Sequence, residues 1–270
     1  MHTLTRHVRF SISPFLPQQD AGSNAFASKP SPKGLSMFFE LAVELTGEVE
    51  QATGFVVNVS NIDEKVREFA VPVFAQELSE NFERQEIIGL AKVAELLGLV
   101  WEQLADRFGR ARLTKLSLKL DPFRTLSIDS RDFKMVYFTE KFEFSASHTL
   151  WNNNLSEQRN LEVFGKCAHP TGHGHNYVLE VTVGKEPGRD GFCISELEET
   201  VDQQLIEILD HKNLNVDIAE FKDNNPTVEN IAVFAWNKLA DKFGQATLHC
   251  VKVWETERTY CTYFGRQPSD

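Results

Sequence analysis

The chain is poor in cations for its size. It carries 28 Lys and Arg against 39 Asp and Glu, a formal net charge of -11. The basic footprint of a nucleic-acid binder is therefore missing, and no nucleic-acid partner is expected. Acidity by itself serves solubility and names no partner. Long apolar runs are missing too. No stretch approaches the ~18 residues of a bilayer-spanning helix, so no membrane span is expected. The opening residues, MHTLTRHVRFSIS, lack the apolar core of a secretory signal. Cysteine is scarce: Cys167, Cys193, Cys250 and Cys261 are the four in 270 residues. None forms a C-x-x-C pair, which excludes a disulfide-stapled secreted scaffold and fits reduced thiols in the cytoplasm. What remains is ordinary globular composition, 41% hydrophobic and 25% charged. That is enough for one large domain or two of modest size.

The sequence repeats itself. Trp101 to Ala111 reads WEQLADRFGRA and Trp236 to Ala246 reads WNKLADKFGQA, an offset of 135 residues with seven of eleven positions identical. GLSMFFELAV from Gly34 matches GHGHNYVLEV from Gly172 at offset 138. Two matches in the same order point to a duplicated unit with small loop changes, divided here into residues 1–133 and 134–270.

Each half reads strand, strand, helix, helix, strand. In the second half, Met135–Ser147 and Tyr177–Val183 have the Val, Tyr and Phe content of strands. Ser195 and Glu198 have capping-box spacing, followed by Leu197, Val201, Leu205 and Ile208 at helical spacing. Asn225-Pro226 is expected to open the next helix, and Val251–Tyr263 to close the unit as a strand. The first half predicts strands near 5–13, 35–45 and 112–129 and helices near 62–78 and 87–108. Gln18–Lys33, rich in Ser, Pro and Ala, reads as a loop. The expected class is α+β, two units of antiparallel sheet with a pair of helices on one face. Open sheet edges call for closure by neighbouring units.

The chemistry concentrates in the second half. His173-Gly174-His175 on an extended segment points two imidazoles to one face, with the glycine between them leaving room for close approach. His148, at the end of the preceding strand, is placed to join them. Three histidines with one open position is the pattern of catalytic zinc. An isolated H-x-H reads first as a surface pair, so the rest of the sequence must decide. Cys167 precedes His173 by six residues; beside a cation its thiol would act as base or nucleophile, and otherwise it is an inert buried residue. Asp210-His211 suits a carboxylate that orients an imidazole, or a solvated helix end. Glu255 within VWETERTY is a carboxylate needing a partner, or an outward-facing charge.

FSASH, FGKC, GHGHNY, LDHKNL, PTVENIAV and VWETE occur in this order over the second half. Together they resemble the 6-pyruvoyl-tetrahydropterin synthase superfamily, which includes 6-carboxytetrahydropterin synthase. The resemblance implies the tunnelling fold, a bound zinc, and 7,8-dihydroneopterin triphosphate as substrate. It implies zinc ligands at His148, His173 and His175, a catalytic Cys167 with Asp210 and His211, and a pterin-anchoring Glu255 aided by Thr227 and Glu229. Lys166 and Arg159 are the cations on offer for the triphosphate, and His169 is additional to the pattern. The implied reaction is loss of triphosphate to give 6-pyruvoyl-tetrahydropterin. The alternatives are the 6-carboxy product from the same substrate, and a pterin-binding or assembly protein without turnover. Relatives with one unit per chain resemble hexamers, so a two-unit chain is expected as a homotrimer, a pseudo-hexamer.

The first half keeps the scaffold and lacks these groups. Pro14 stands for His148, Leu35 and Met37 for His173 and His175, Phe74 and Ala75 for Asp210 and His211, and Leu120 for Glu255. No cysteine precedes Cys167. This half is expected to be a structural partner that covers sheet edges.

Overall fold

The computed structural model describes residues 1–14, 36–188 and 192–265. The predicted loop Gln18–Lys33 and the aligned Leu35 lie outside them. The chain divides into two compact units, Met1–Phe138 with Lys185–Phe192, and Thr139–Gly184 with Cys193–Asp270.

The first unit runs β1 (His2–Ile12), β2 (Met37–Gly47), α1 (Val59–Lys65), a π-helical turn over Val66–Ala70, α2 (Val71–Arg84), α3 (Leu90–Leu104), β3 (Arg112–Lys119) and β4 (Arg124–Asp129). The strands pair antiparallel in the order β1-β2-β3-β4. Alternation decides which face is buried: Val8, Phe10 and Ile12 of β1 and Leu41, Val43 and Leu45 of β2 are nearly or wholly inaccessible. α3 buries Leu96, Leu97, Val100, Trp101 and Leu104 at helical spacing. Asp63 of α1 is fully buried and takes a bidentate pair from Arg6 of β1, at 2.9 and 2.7 Å. The segment expected as one strand over 112–129 is two. Asp121 accepts the N–H groups of Phe123 and Arg124 at 2.7 and 2.8 Å and so closes a turn between them.

In the second unit the elements are β5 (Val136–His148, beginning in the first unit), α4 (Glu157–Phe164), β6 (His173–Lys185), α5 (Ile194–Val201), a π-helical turn over Asp202–Ile206, α6 (Glu207–Leu209), β7 (Lys212–Asn213), α7 (Leu214–Asp217), α8 (Val228–Leu239), β8 (Thr247–Thr256) and β9 (Thr259–Tyr263). The sheet order is β5-β6-β8-β9, with β7 lying parallel to the end of β5. Tyr177, Leu179, Val181 and Val183 of β6 and Val251 and Val253 of β8 form the core face, covered in part by Ile231, Ala232 and Ala235 of α8. The fold class is α+β, as the resemblance implies.

Several local expectations are corrected. Ser195 lies inside α5, whose N-cap is Cys193 without a side-chain cap. Pro226 precedes the N-cap of α8, which is Thr227 accepting from the Asn230 N–H at 3.4 Å. Val251–Tyr263 is again two strands, turned at Thr256. α4 was not predicted.

The two units share irregularities as well as order. Register shifts fall between Glu44 and Leu45 where β2 meets β3, and between Thr182 and Val183 where β6 meets β8. The π-helical turns begin at Val66 and Asp202. They differ after the turn: α2 runs on to Arg84, whereas α6 stops at Leu209 and Asp210 is extended.

Candidate functional site

The site is built where β5 ends and β6 begins, strands adjacent in the sheet. Gly172 makes this approach possible. It has φ +69°, and a Cβ there would lie 2.8 Å from the His148 carbonyl oxygen. Gly174 has no such constraint, since a Cβ would meet nothing nearer than 3.5 Å. The room attributed to the glycine between the histidines is made by the glycine before them.

Alternation along β5 and β6 turns His148, His173 and His175 to the helix-covered face. One ring nitrogen of each lies within 4.8 Å of the others. His148 is 1% exposed. Its Nδ1–H donates to the Pro226 carbonyl at 2.8 Å, which leaves a lone pair at Nε2. That nitrogen lies 3.0 Å from Nε2 of His173. His173 Nδ1 and His175 Nε2 are buried without a hydrogen-bond partner. Burial pushes the pKa of His148 and of His175 below the ordinary imidazole value, outweighing the pull of Glu255. Converging imidazole nitrogens, with His175 Nε2 buried and unpartnered, suit a borderline-soft cation, so the donor set fits zinc.

Glu255 joins this cluster from β8. Its Oε1 is 3.6 Å from Nε2 of both His148 and His175. Tyr177, two residues beyond His175, is fully buried with its hydroxyl unpartnered. Burial drives its pKa far upward, with smaller contributions from Glu255 and Cys167. Cys167 sits in a short 3-10 turn, Gly165–Ala168. The turn is tied to the segment after His148 by the Leu150 N–H on the Cys167 carbonyl at 2.9 Å. That segment is further pinned by Asn215, which both accepts from and donates to the Thr149 backbone, and by Asn225, which accepts from the Trp151 N–H. Thr227 and Glu229 open α8, directly after the carbonyl that orients His148.

Asp210 and His211 form a tight pair elsewhere. Asp210 Oδ1 accepts the Ser145 N–H at 2.8 Å, and Oδ2 accepts from His211 Nδ1 at 2.7 Å. The Ser145 hydrogen bond and then the His211 ring hold the Asp210 pKa below the usual carboxylate value. His211 has φ 56° and its side chain is 83% exposed. It borders an open cleft with Ser145, Ser147, Gly174 and Asn176. Ala146 and His175 line the same cleft, and the pair meets β5 through the Ser145 backbone, beside the point where β7 pairs with it. No hydrogen bond among the described residues links the pair to Cys167 or to the three histidines.

His169 is exposed and bonds Thr171. Arg159 pairs with Glu162 one turn along its own helix, and Lys166 is exposed. Pro226, Tyr177 and the asparagines are not among the site residues expected from sequence. Tyr177 had a signal, its place in the alternation that points the two histidines inward. The Pro226 carbonyl had none, because a backbone acceptor is not visible in side-chain spacing.

Residues 137–266 match the family described as "6-pyruvoyl tetrahydropterin synthase". The human 6-pyruvoyl tetrahydrobiopterin synthase is 39% identical over 130 residues, 47% of this chain and 90% of that protein. The chain belongs to the 6-pyruvoyl tetrahydropterin synthase family. Within the family's reach, the 6-carboxy-5,6,7,8-tetrahydropterin synthase of Aquifex aeolicus is 29% identical over 157 residues, 46% of this chain and 95% of that one. A solved 6-pyruvoyl tetrahydropterin synthase from Caenorhabditis elegans covers 49% of this chain and 96% of its own at 32% identity, with a TM-score of 0.46. Each site residue of the second half lies inside the matched segment, and the first half lies outside it. No helix among the described residues is long and apolar enough to cross a membrane.

Proposed function

We propose that the second unit is a zinc-dependent carbon–oxygen lyase that converts 7,8-dihydroneopterin triphosphate to 6-pyruvoyl-tetrahydropterin. The observation that carries this reading is the convergence of His148, His173 and His175 within 4.8 Å, with two buried nitrogens unsatisfied. His148, His173 and His175 hold the zinc, which when bound supplies a Lewis acid to the substrate's side-chain oxygens. Cys167 takes and returns protons at the carbons of that side chain. His211, held in one tautomer by Asp210 at 2.7 Å, presents Nε2 for proton exchange at a side-chain oxygen. Glu255 accepts hydrogen bonds from the guanidine-like edge of the pterin, with Thr227 and Glu229 beside it. The triphosphate leaves from C–O cleavage, and internal redox of the side chain gives the pyruvoyl product. A pterin-binding protein without turnover would have no use for the full set of Cys167, Asp210 and His211. The 6-carboxy product from the same substrate is the second reading, supported by the likeness to the Aquifex enzyme.

The pair's lack of any hydrogen bond to Cys167 among the described residues gives this reading a consequence for assembly. A second copy must bring Asp210 and His211 to Cys167. The proposal is a homotrimer of two-unit chains, with the three second units in one ring so that each site meets an intact neighbour. Residues 1–133 form a degenerate unit of the same ancestry, supported by the shared sheet order, register shifts and π-helical turns. Its role is scaffold. Four free thiols fit the cytoplasm.

Removal of metal tests the central step. Chelated protein is expected to lose turnover of dihydroneopterin triphosphate and to regain it with zinc. Full turnover in metal-free protein would overturn the reading.

A further inference from the structure

The first unit's replaced positions do not fill with packing. Pro14, Met37, Phe74 and Leu120, aligned with His148, His175, Asp210 and Glu255, all line one pocket of about 370 Å³ inside the first unit. That volume is in the range of small-molecule sites, which are concave and mostly apolar with a few polar groups to orient a ligand. The wall is made by α2, α3, β2 and the end of β3, with Phe39 and Leu78 among its side chains. Phe39 and Phe74 are stacked at 5.9 Å, and Phe10 stacks on both behind them. A flat aromatic surface is thus already ordered at one side of the cavity. Met37 is 47% exposed and marks the mouth.

The polar groups define the other end of the ligand. The lining holds two, Asn81 and Glu86. Asn81 is buried and donates its amide hydrogens to the Glu77 carbonyl and carboxylate, at 2.9 and 2.7 Å, leaving its carbonyl oxygen as an acceptor. Glu86 is exposed at the rim and is the one ionisable group among the described lining residues. Both groups accept, and among the described residues no Lys, Arg or His lines the wall. The described lining thus disfavours an anion such as a pterin triphosphate by charge.

We propose that this pocket is a second ligand site, for an apolar aromatic molecule whose polar end donates hydrogen bonds and carries no negative charge. The first unit then exchanges a metal and pterin site for an apolar one, rather than only closing sheet edges. The inference stands on the pocket's walls and is independent of turnover in the second unit.

Two fluorescent probes with one skeleton test it in the full-length protein. N-phenyl-1-naphthylamine is neutral and donates one N–H; 1-anilinonaphthalene-8-sulfonate adds an anion. The amine is expected to bind saturably, once per chain, and about ten-fold more tightly than the sulfonate. Leu78→Trp and Leu120→Trp each fill the cavity from a different element and are expected to abolish amine binding while pterin turnover and the thermal midpoint are kept. Glu86→Gln is expected to narrow the gap by raising the sulfonate's affinity, a gain that misfolding would not produce. Amine binding unchanged in both tryptophan variants would overturn the site. So would a wild-type protein with no saturable binding, whose pocket is then covered by a neighbouring copy. Sulfonate binding at this pocket as tight as the amine's would overturn the ligand class.

Discussion

A histidine serves as a metal ligand when its lone pair is bare and aimed, and His148 owes both to the carbonyl of Pro226. His173 and His175 owe their position to strand alternation and to the left-handed Gly172. His173→Ala is therefore expected to lose most bound zinc by metal analysis; full occupancy would remove the assignment. Acid should do the same by protonation. Protons compete with the metal for these nitrogens. Burial holds His148 and His175 below the ordinary value of about 6.5, so they stay neutral as pH falls to that value, and release is expected only beneath it. The unfolded chain takes up those protons at higher pH than the folded one, so metal-free protein is also expected to lose stability as pH drops below about 6.5. Zinc counted against pH checks the sign: a release midpoint well above that value would contradict it. Cys167→Ala should end turnover and keep the metal, because no sulfur is needed in the three-nitrogen set; loss of zinc would make Cys167 a ligand. Glu255→Gln should weaken a pterin analogue by about 1.5–3 kcal/mol and zinc much less. An unchanged analogue affinity, read by calorimetry, would take Glu255 out of the anchor. At this scale the side chains were legible in sequence, since H-x-H needs only an extended backbone. The carbonyl and the positive φ that aim them were not, because neither has a residue-type signature strong enough at its position.

At the scale of elements, periodicity announces the long pieces and conceals their interruptions. β1, β2, β5, β6, α3 and α8 follow the alternations and helical stripes of the sequence. Both segments read as single final strands contain turns made by a side-chain oxygen, from Asp121 or Thr256, within otherwise strand-like runs. Ser195 had the spacing of a cap, but the helix begins two residues earlier than such a cap would place it, at Ile194. The most consequential difference is the one after the π-helical turns. Pro72 at the start of α2 and the apolar stripe Val71, Phe74 and Ala75 carry the helix onward in the first unit. LDHKNLN, with Asn and Asp favouring turns, stops it in the second and frees Asp210 and His211. The tie between β1 and α1 is open to a stability test. Asp63 is fully buried and Arg6 21% exposed. Asp63→Ala removes both charge-assisted hydrogen bonds from Arg6 and is expected to destabilise the first unit by about 1.5–3 kcal/mol. Denaturant unfolding measures it, with zinc content in the second unit unchanged. A change under about 0.5 kcal/mol, the range of ordinary surface substitutions, would show that the pair is not structural.

For the whole molecule, the divided site is the central geometric fact. The histidines and Glu255 converge in one cluster, with Cys167 tied nearby through Leu150, while Asp210 with His211 is held on the Ser145 backbone and, among the described residues, makes no hydrogen bond to Cys167. The sequence places all of these residues in one half but cannot say which of them meet once a helix ends between them. The proposed trimer would supply each site with an intact neighbour, and mixing tests it. Chains carrying Cys167→Ala and chains carrying His211→Ala, each inactive alone, should recover partial activity when co-assembled. Recovery is absent if each chain completes its own site. The claim beneath all of this is the reaction, and product identity tests it most directly. Purified full-length protein with zinc and 7,8-dihydroneopterin triphosphate should yield, by mass spectrometry, 6-pyruvoyl-tetrahydropterin and one released triphosphate. A 6-carboxy product, or intact substrate, would contradict it.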